Sequence, residues 1–154
     1  MTVTLRRARD DEGGELAMLL RASRIASSPA IPLPIHTEGE DRQWFQTEVL
    51  PKLEVWVAEA DGMRVGVMVL GPGWVNHLYV LGGWTGRAIG TRLIELAKAR
   101  QPDALELWTF QSNRGARRFY ERHGFVPVEE TDGSANEEGV PDVRYRWTAS
   151  TSEP

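Results

Sequence analysis

The chain has no cysteine, and that absence removes a block of chemistry at once. Disulfides, thiolate metal sites and a cysteine nucleophile are all excluded, so any thioester chemistry must proceed without a covalent cysteine intermediate. Histidine is scarce: the three, His36, His77 and His123, lie far apart and offer no close metal-binding spacing. No apolar run reaches bilayer-spanning length, and Met1 to Asp10 is polar rather than leader-like, with Arg6, Arg7 and Arg9. A basic excess is missing too. Eighteen Lys and Arg against 22 Asp and Glu give a net charge of −4, which argues against a nucleic-acid partner. A cytoplasmic enzyme without a membrane partner is the expectation. The 154 residues suit one domain over 1–148, followed by a short disordered tail at 149–154.

Hydrophobic periodicity sets the element order. Val3 to Ala8 reads as an edge strand, and Leu16, Leu19, Leu20 and Ser23 follow helical spacing over roughly 11–25. Prolines 29, 32 and 34 exclude helix from the next stretch. Thr37 and Glu40 have capping-box spacing at the head of a second helix over 38–49. Strands follow at 55–60, 63–70 and 74–81, the first two joined by an Asp61-Gly62 hairpin turn. Ile89, Leu93, Leu96 and Ala97 mark a third helix, 104–110 a strand, and Ala116, Phe119 and Tyr120 a fourth helix opened by Asn113 and closed by Gly124. Two last strands, 125–130 and 143–148, enclose a polar hairpin loop. The order β-α-α-β-β-β-α-β-α-β-β defines an α+β fold: a mostly antiparallel sheet of six to seven strands with about four helices. The β-α-β unit at 74–110 supplies one parallel pair.

Thr85-Gly86-Arg87-Ala88-Ile89-Gly90 joins a strand to a helix. Unpaired N–H groups of a first helical turn, small residues and the Arg87 charge suit a pyrophosphate. The plainer alternative is a tight turn with no ligand. Neither G-x-x-x-x-G-K-[ST] nor G-x-G-x-x-G is present, which weakens nucleoside triphosphate and dinucleotide readings.

Two segments together carry a family resemblance. Leu78-Tyr79-Val80 followed by the 85–90 loop, and Asn113-x-x-Ala116-x-x-Phe119-Tyr120-Glu121-x-x-Gly124-Phe125, resemble the signatures of the GNAT superfamily of N-acetyltransferases, in the same order and context. The resemblance covers nearly the whole chain. It implies acetyl-CoA as co-substrate, no metal, and a small-molecule or protein amine as acceptor, attacked directly in a ternary complex. Homodimers are a further implication. By resemblance, the backbone of Leu78 and Val80, with Tyr79 between them, lies along the pantetheine. The loop Thr85, Gly86, Arg87, Ala88, Ile89, Gly90 and Thr91 holds the pyrophosphate. Asn113, with Ala116 and Phe119 on the same helix, contacts the pantetheine arm, and Tyr120 protonates or hydrogen-bonds the departing thiolate. Thr85 and Ala88 depart from the family's Q/R-x-x-G-x-G/A pattern. Ala88 is expected to fit a helical first turn, its methyl crowding a phosphate oxygen.

A backbone irregularity near Val80 is expected to polarise the thioester carbonyl. The general base is not assigned. Trp74 and Asn76 share the expected active-site face of their strand and cannot take a proton. His77 has the opposite parity and is expected to pack elsewhere, while His36 lies near the acceptor side; a water chain is the alternative. The acidic residues at 129, 130, 132, 137, 138 and 142 read either as a solvated hairpin or as a lip attracting a cationic amine. Trp44, Trp84 and Trp108 read as core or loop anchors. A catalytically silent acyl-CoA-binding or sensing domain is the competing functional class.

Overall fold

The computed structural model describes residues 2–86 and 88–149. The elements run β1 (Val3–Arg7), α1 (Gly13–Ala26), α2 (Glu38–Trp44), β2 (Glu54–Ala60), β3 (Met63–Gly71), β4 (Trp74–Val80), α3 (Ile89–Arg100), β5 (Ala104–Phe110), α4 (Arg114–Arg122), β6 (Val126–Glu130) and β7 (Asp142–Thr148). They build one seven-stranded sheet in the order β1-β2-β3-β4-β5-β7-β6. Every pairing is antiparallel except β4 with β5.

The local signals behave as their chemistry requires. Thr37 and Glu40 form both halves of the capping box. Asp61 and Gly62 both adopt positive φ, 53° and 77°, as a two-residue turn between right-twisted strands demands. Gly124, at φ 88°, ends α4, with Phe125 N–H returning to Tyr120 O at 3.0 Å. The second helix differs from its expected form. After Trp44 the backbone widens into a π-helical turn over Phe45–Val49, where Leu50 N–H bonds to Phe45 O at 2.8 Å and both Phe45 and Val49 are buried.

Two apolar layers flank the sheet. Leu16, Leu20, Phe45, Val57, Val67 and Val69 fill the side covered by α1 and α2. Val65, Met68, Val75, Leu93, Ile94, Leu107 and Tyr145 fill the side covered by α3 and α4. A strict two-residue period cannot give this arrangement, because Val65 and Val67 fall on opposite sides although two apart, and Val75 and Leu78 on one side although three apart. Bulges explain both cases. Ala58 pairs with Gly66 while Glu59 pairs with Arg64, leaving Val65 extra; Val69 pairs with His77 while Leu70 pairs with Val75, leaving Asn76 extra.

The second bulge sits beside the sheet's one parallel junction. β4 and β5 share a single register pair, Trp74 with Glu106, and then diverge. Beyond that point the β4 edge facing β5 keeps unpaired backbone groups, and the opening leads between α3 and α4.

Candidate active site

Helix α4 is held rigidly against the sheet. Asn113 Oδ1 caps its first turn by accepting from Ala116 N–H at 3.2 Å. The Tyr145 hydroxyl on β7 accepts from Arg117 Nε at 2.9 Å and donates to Glu121 Oε2 at 2.7 Å. Between these anchors α4 turns Tyr120 inward, its ring packed on Phe119, Phe125 and Tyr145. Burial, then the neighbouring Tyr79, raise the Tyr120 phenol above its ordinary value. Its hydroxyl makes no hydrogen bond among the described residues.

Tyr120 lies at the junction of two spaces. On one side a cleft of about 390 Å³ runs between β4, α3 and α4, with Leu78, Val80, Thr85, Gly86, Ala88, Gly90, Thr91, Ala116 and Phe119 along it. Arg122 lines it too, a residue the motif reading missed because it stands at an unspecified position of the signature. On the other side a narrow gap of about 90 Å³ separates β4 from β5, lined by His77, Tyr79, Asn113 and Tyr120. Of the sequence-expected residues, Ile89 is packed in the core, 1% exposed, and does not line the cleft. Tyr79 faces the α1 side, stacked on His77 with ring centroids 6.4 Å apart. Arg87 and the expected tail at 150–154 lie outside the described residues.

Gly90 lets the two helices meet, since a Cβ there would stand 3.3 Å from Phe119 Cζ. Ala88 corrects the sequence expectation. It is not part of the first helical turn; it is the N-cap of α3, in the left-handed region at φ 64° and ψ 13°. An alanine costs about 1 kcal/mol more than glycine in that conformation. Ala88→Gly is therefore expected to stabilise the protein by about 1 kcal/mol and raise Tm by about 2–4 °C, read by thermal melting. An unchanged or lower Tm would show that the left-handed cap carries no strain.

The strand irregularity also lies elsewhere than expected. It is at Val75–His77, not near Val80, and its extra residue reverses the parity of everything after it. His77 therefore faces the α1–α2 side instead of packing away from the site. There it borders a cavity of about 450 Å³ between α1, the 34–36 segment, α2 and the loop before β7. His77 lines both this cavity and the β4–β5 gap. Burial, then the charge of Arg24, push its imidazole down to about 4, so it is neutral at pH 7.

Apolar side chains and charged groups divide the cavity wall. Leu20, Ile35 and Trp44 supply apolar surface, so Trp44 borders the site rather than anchoring the core. His36 Nε2 lies 3.2 Å from Glu137 Oε1. The six acidic residues of the 129–142 region separate into different roles. Glu137 and Glu138 line the cavity, Glu129 and Glu130 pair with Arg144 and Arg117, Asp132 receives Ser134 N–H, and Asp142 ties Thr131 to Asn136. Arg24 also lines the cavity. A cation at the fourth position after Leu20, on the buried stripe of α1, was the sequence signal for it.

The sheet parts beside a strand bulge, with a tyrosine at the parting and a glycine-containing turn at the head of a helix, which is where the resemblance to the GNAT signatures expects an acyl-CoA. The comparisons agree. Residues 51–127 match the family model described as an acetyltransferase (GNAT) domain. The peptidyl-lysine N-acetyltransferase YjaB of Escherichia coli is 31% identical over 127 residues, covering 81% of this chain and 83% of that protein. Its solution structure in the apo form superposes with a TM-score of 0.76 at 24% identity, covering 96% of this chain and 98% of that one. The PaiA N-acetyltransferase of Thermoplasma acidophilum, solved in complex with coenzyme A, gives 0.72 at 20% identity over 96% and 99% of the two chains. An uncharacterised N-acetyltransferase of Methanocaldococcus jannaschii is 33% identical over 93 residues, 51% of this chain; the match spans only 41% of that longer protein. This chain belongs to the GNAT acetyltransferase family.

Proposed function

We propose that the chain transfers the acetyl group of acetyl-CoA to an amine, with the donor in the cleft beside Tyr120 and the acceptor in the cavity bordered by His77. The observation carrying this reading is the position of Tyr120 where the two spaces meet, with a hydroxyl not engaged in holding the fold. The PaiA complex with coenzyme A supports the choice of donor, and the name of YjaB supports an amine acceptor.

The chemistry assigns work to each part. The free β4 edge beyond Trp74 offers backbone partners to the pantetheine amides, as to an added strand. The N–H groups of Ile89, Gly90 and Thr91 precede the first helical bond, Arg92 N–H to Ala88 O, and suit the pyrophosphate. The bulge at Asn76 leaves main-chain N–H available to the thioester oxygen. The amine nitrogen attacks the carbonyl carbon, the carbon–sulfur bond breaks, the thiolate leaves toward Tyr120, and the proton lost by the nitrogen passes to solvent. A thiol titrates near 8.5 and an ordinary tyrosine near 10, so a tyrosine raised further still stabilises the thiolate by hydrogen bonding rather than by full proton transfer. An imidazole held at about 4 accepts a hydrogen bond from a neutral amine and is a poor base for an ammonium ion.

Calorimetric titration with acetyl-CoA, with NAD and ATP as controls, tests the reading when paired with thiol release over an amine panel. Saturable binding of acetyl-CoA alone, with amine-dependent release, is the expected result. Binding without release for any amine would favour a silent acyl-CoA sensor, and absence of binding would overturn the donor assignment.

A further inference from the structure

The acceptor cavity holds two guanidinium groups in different circumstances. Arg21 makes two short hydrogen bonds, its Nη1 donating to Asp41 Oδ2 and to His36 O, both at 2.8 Å, and no side-chain nitrogen of it is buried without a partner among the described residues. Arg24 differs. Its Nη2 makes two long contacts, 3.3 Å to Pro32 O and 3.4 Å to Glu138 Oε2. Its Nε is buried without a partner, and its Nη1 makes no hydrogen bond among the described residues. A guanidinium presents five donors in a planar fork that matches a carboxylate. Leaving that fork mostly unpaired in a half-closed cavity is costly, and a ligand anion would remove the cost.

The surroundings narrow the ligand further. Arg24 and His77 line the same cavity, and the Arg24 charge acts on the imidazole. His77 is where the cavity meets the β4–β5 gap. With a carboxylate on Arg24 and an amine beside His77, both ends of the ligand lie in this one cavity, and an amine on the carbon adjacent to the carboxylate is the most compact ligand that satisfies both. Leu20, Ile35 and Trp44 face this position with apolar surface. Glu138, released from its long contact, and Glu137 then offset the incoming ammonium charge.

We propose that the acceptor is a free α-amino acid with an apolar side chain, its carboxylate held by Arg24 and its α-amine presented at His77. This rests on the acetyltransferase reading above.

The test compares leucine, methionine and phenylalanine with their carboxamides and with the matching decarboxylated amines, by thiol release at saturating acetyl-CoA. The wild-type protein is expected to use the free acids with a kcat/KM at least about 10-fold above the amides. Arg24→Gln is expected to lower kcat/KM for the acids about 100-fold, chiefly through KM. It should narrow the acid-to-amide ratio and leave the calorimetric affinity for acetyl-CoA nearly unchanged. Arg24→Lys keeps the charge without the fork and should recover only part of the loss. Equal or better use of amides or amines by the wild type would overturn the proposal, as would an acid-to-amide ratio untouched by Arg24→Gln. Thiol release with lysine peptides alone would overturn it while leaving the acetyltransferase reading intact, whereas failure to bind acetyl-CoA would remove both. Should Arg24→Gln fail to fold, the wild-type ratio and Arg24→Lys decide the question.

Discussion

Replacing Tyr120 with phenylalanine is expected to lower kcat about 100- to 1000-fold, the loss seen when one preorganised donor to a developing charge is removed. The acetyl-CoA dissociation constant should change by less than about threefold, because the ring and its packing stay in place. The expectation follows from what the hydroxyl does not do. The aromatic neighbours hold the ring at centroid distances of 5.2 Å for Phe119 and 5.7 Å for Phe125. The hydroxyl holds nothing among the described residues, so its removal orphans no partner and the melting temperature should not fall. Tyr145 is the contrast: its hydroxyl joins Arg117 to Glu121, and phenylalanine there would loosen α4.

Because burial raises the Tyr120 phenol, the proton stays on it through the neutral and mildly alkaline range. The kcat profile should therefore show no alkaline fall due to this group below about pH 10. Steady-state thiol release and calorimetry on the two proteins check the whole set. Full turnover in Tyr120→Phe would end the leaving-group role, and a large loss of acetyl-CoA affinity would make the hydroxyl a binding contact.

The sequence was legible wherever one short segment decides its own conformation. Thr37 with Glu40, Asp61-Gly62 and Gly124 each solve a local backbone problem, and the element order follows from hydrophobic period. The GNAT signatures likewise put Leu78, Val80, Ala116, Phe119 and Tyr120 around one cleft. What escaped was set by partners distant in sequence. The bulge at Asn76 exists only in the pairing of β4 with β3, yet it decides that His77 borders the acceptor cavity. The left-handed Ala88 defies its own propensity, which sequence reading must trust. Arg24 stood at a core-facing position, but a cation in the last turn of a helix has an ordinary reading as a partner of the dipole. The acidic residues before β7 looked like one patch, and only the fold separates the pair lining the cavity from those that hold the hairpin.

The largest stability effect is expected far from the cleft, at Glu12. This carboxylate is 1% exposed and stands at the head of α1. It accepts from Arg6 Nη1 and Nη2 at 2.9 and 2.7 Å, from Arg64 Nε at 2.6 Å, and from Arg9 N–H at 2.7 Å. One side chain thus ties β1, α1 and β3 together beneath the layer that carries the acceptor cavity. Breaking a buried ion pair by removing one partner costs about 3–5 kcal/mol. Arg6 and Arg64 keep 20% and 32% side-chain exposure and recover some hydration, so Glu12→Gln is expected to cost about 2–3 kcal/mol. That corresponds to a Tm lower by about 5–10 °C. The hydrogen bonds from Arg6, opposed by burial and helped by Arg9 N–H, hold the Glu12 carboxyl well below the usual range. A carboxyl lowered in the folded state stabilises fully above its unfolded value, near 4.3, and loses that contribution as pH falls toward the folded value. The difference in Tm between wild type and Glu12→Gln should accordingly be widest above pH 5 and shrink on acidification. Thermal melting at pH 7 and at pH 4 measures it. A variant as stable as wild type at pH 7 would show that the arginines are as well served by water as by Glu12, and a difference that grew in acid would contradict the sign of the linkage.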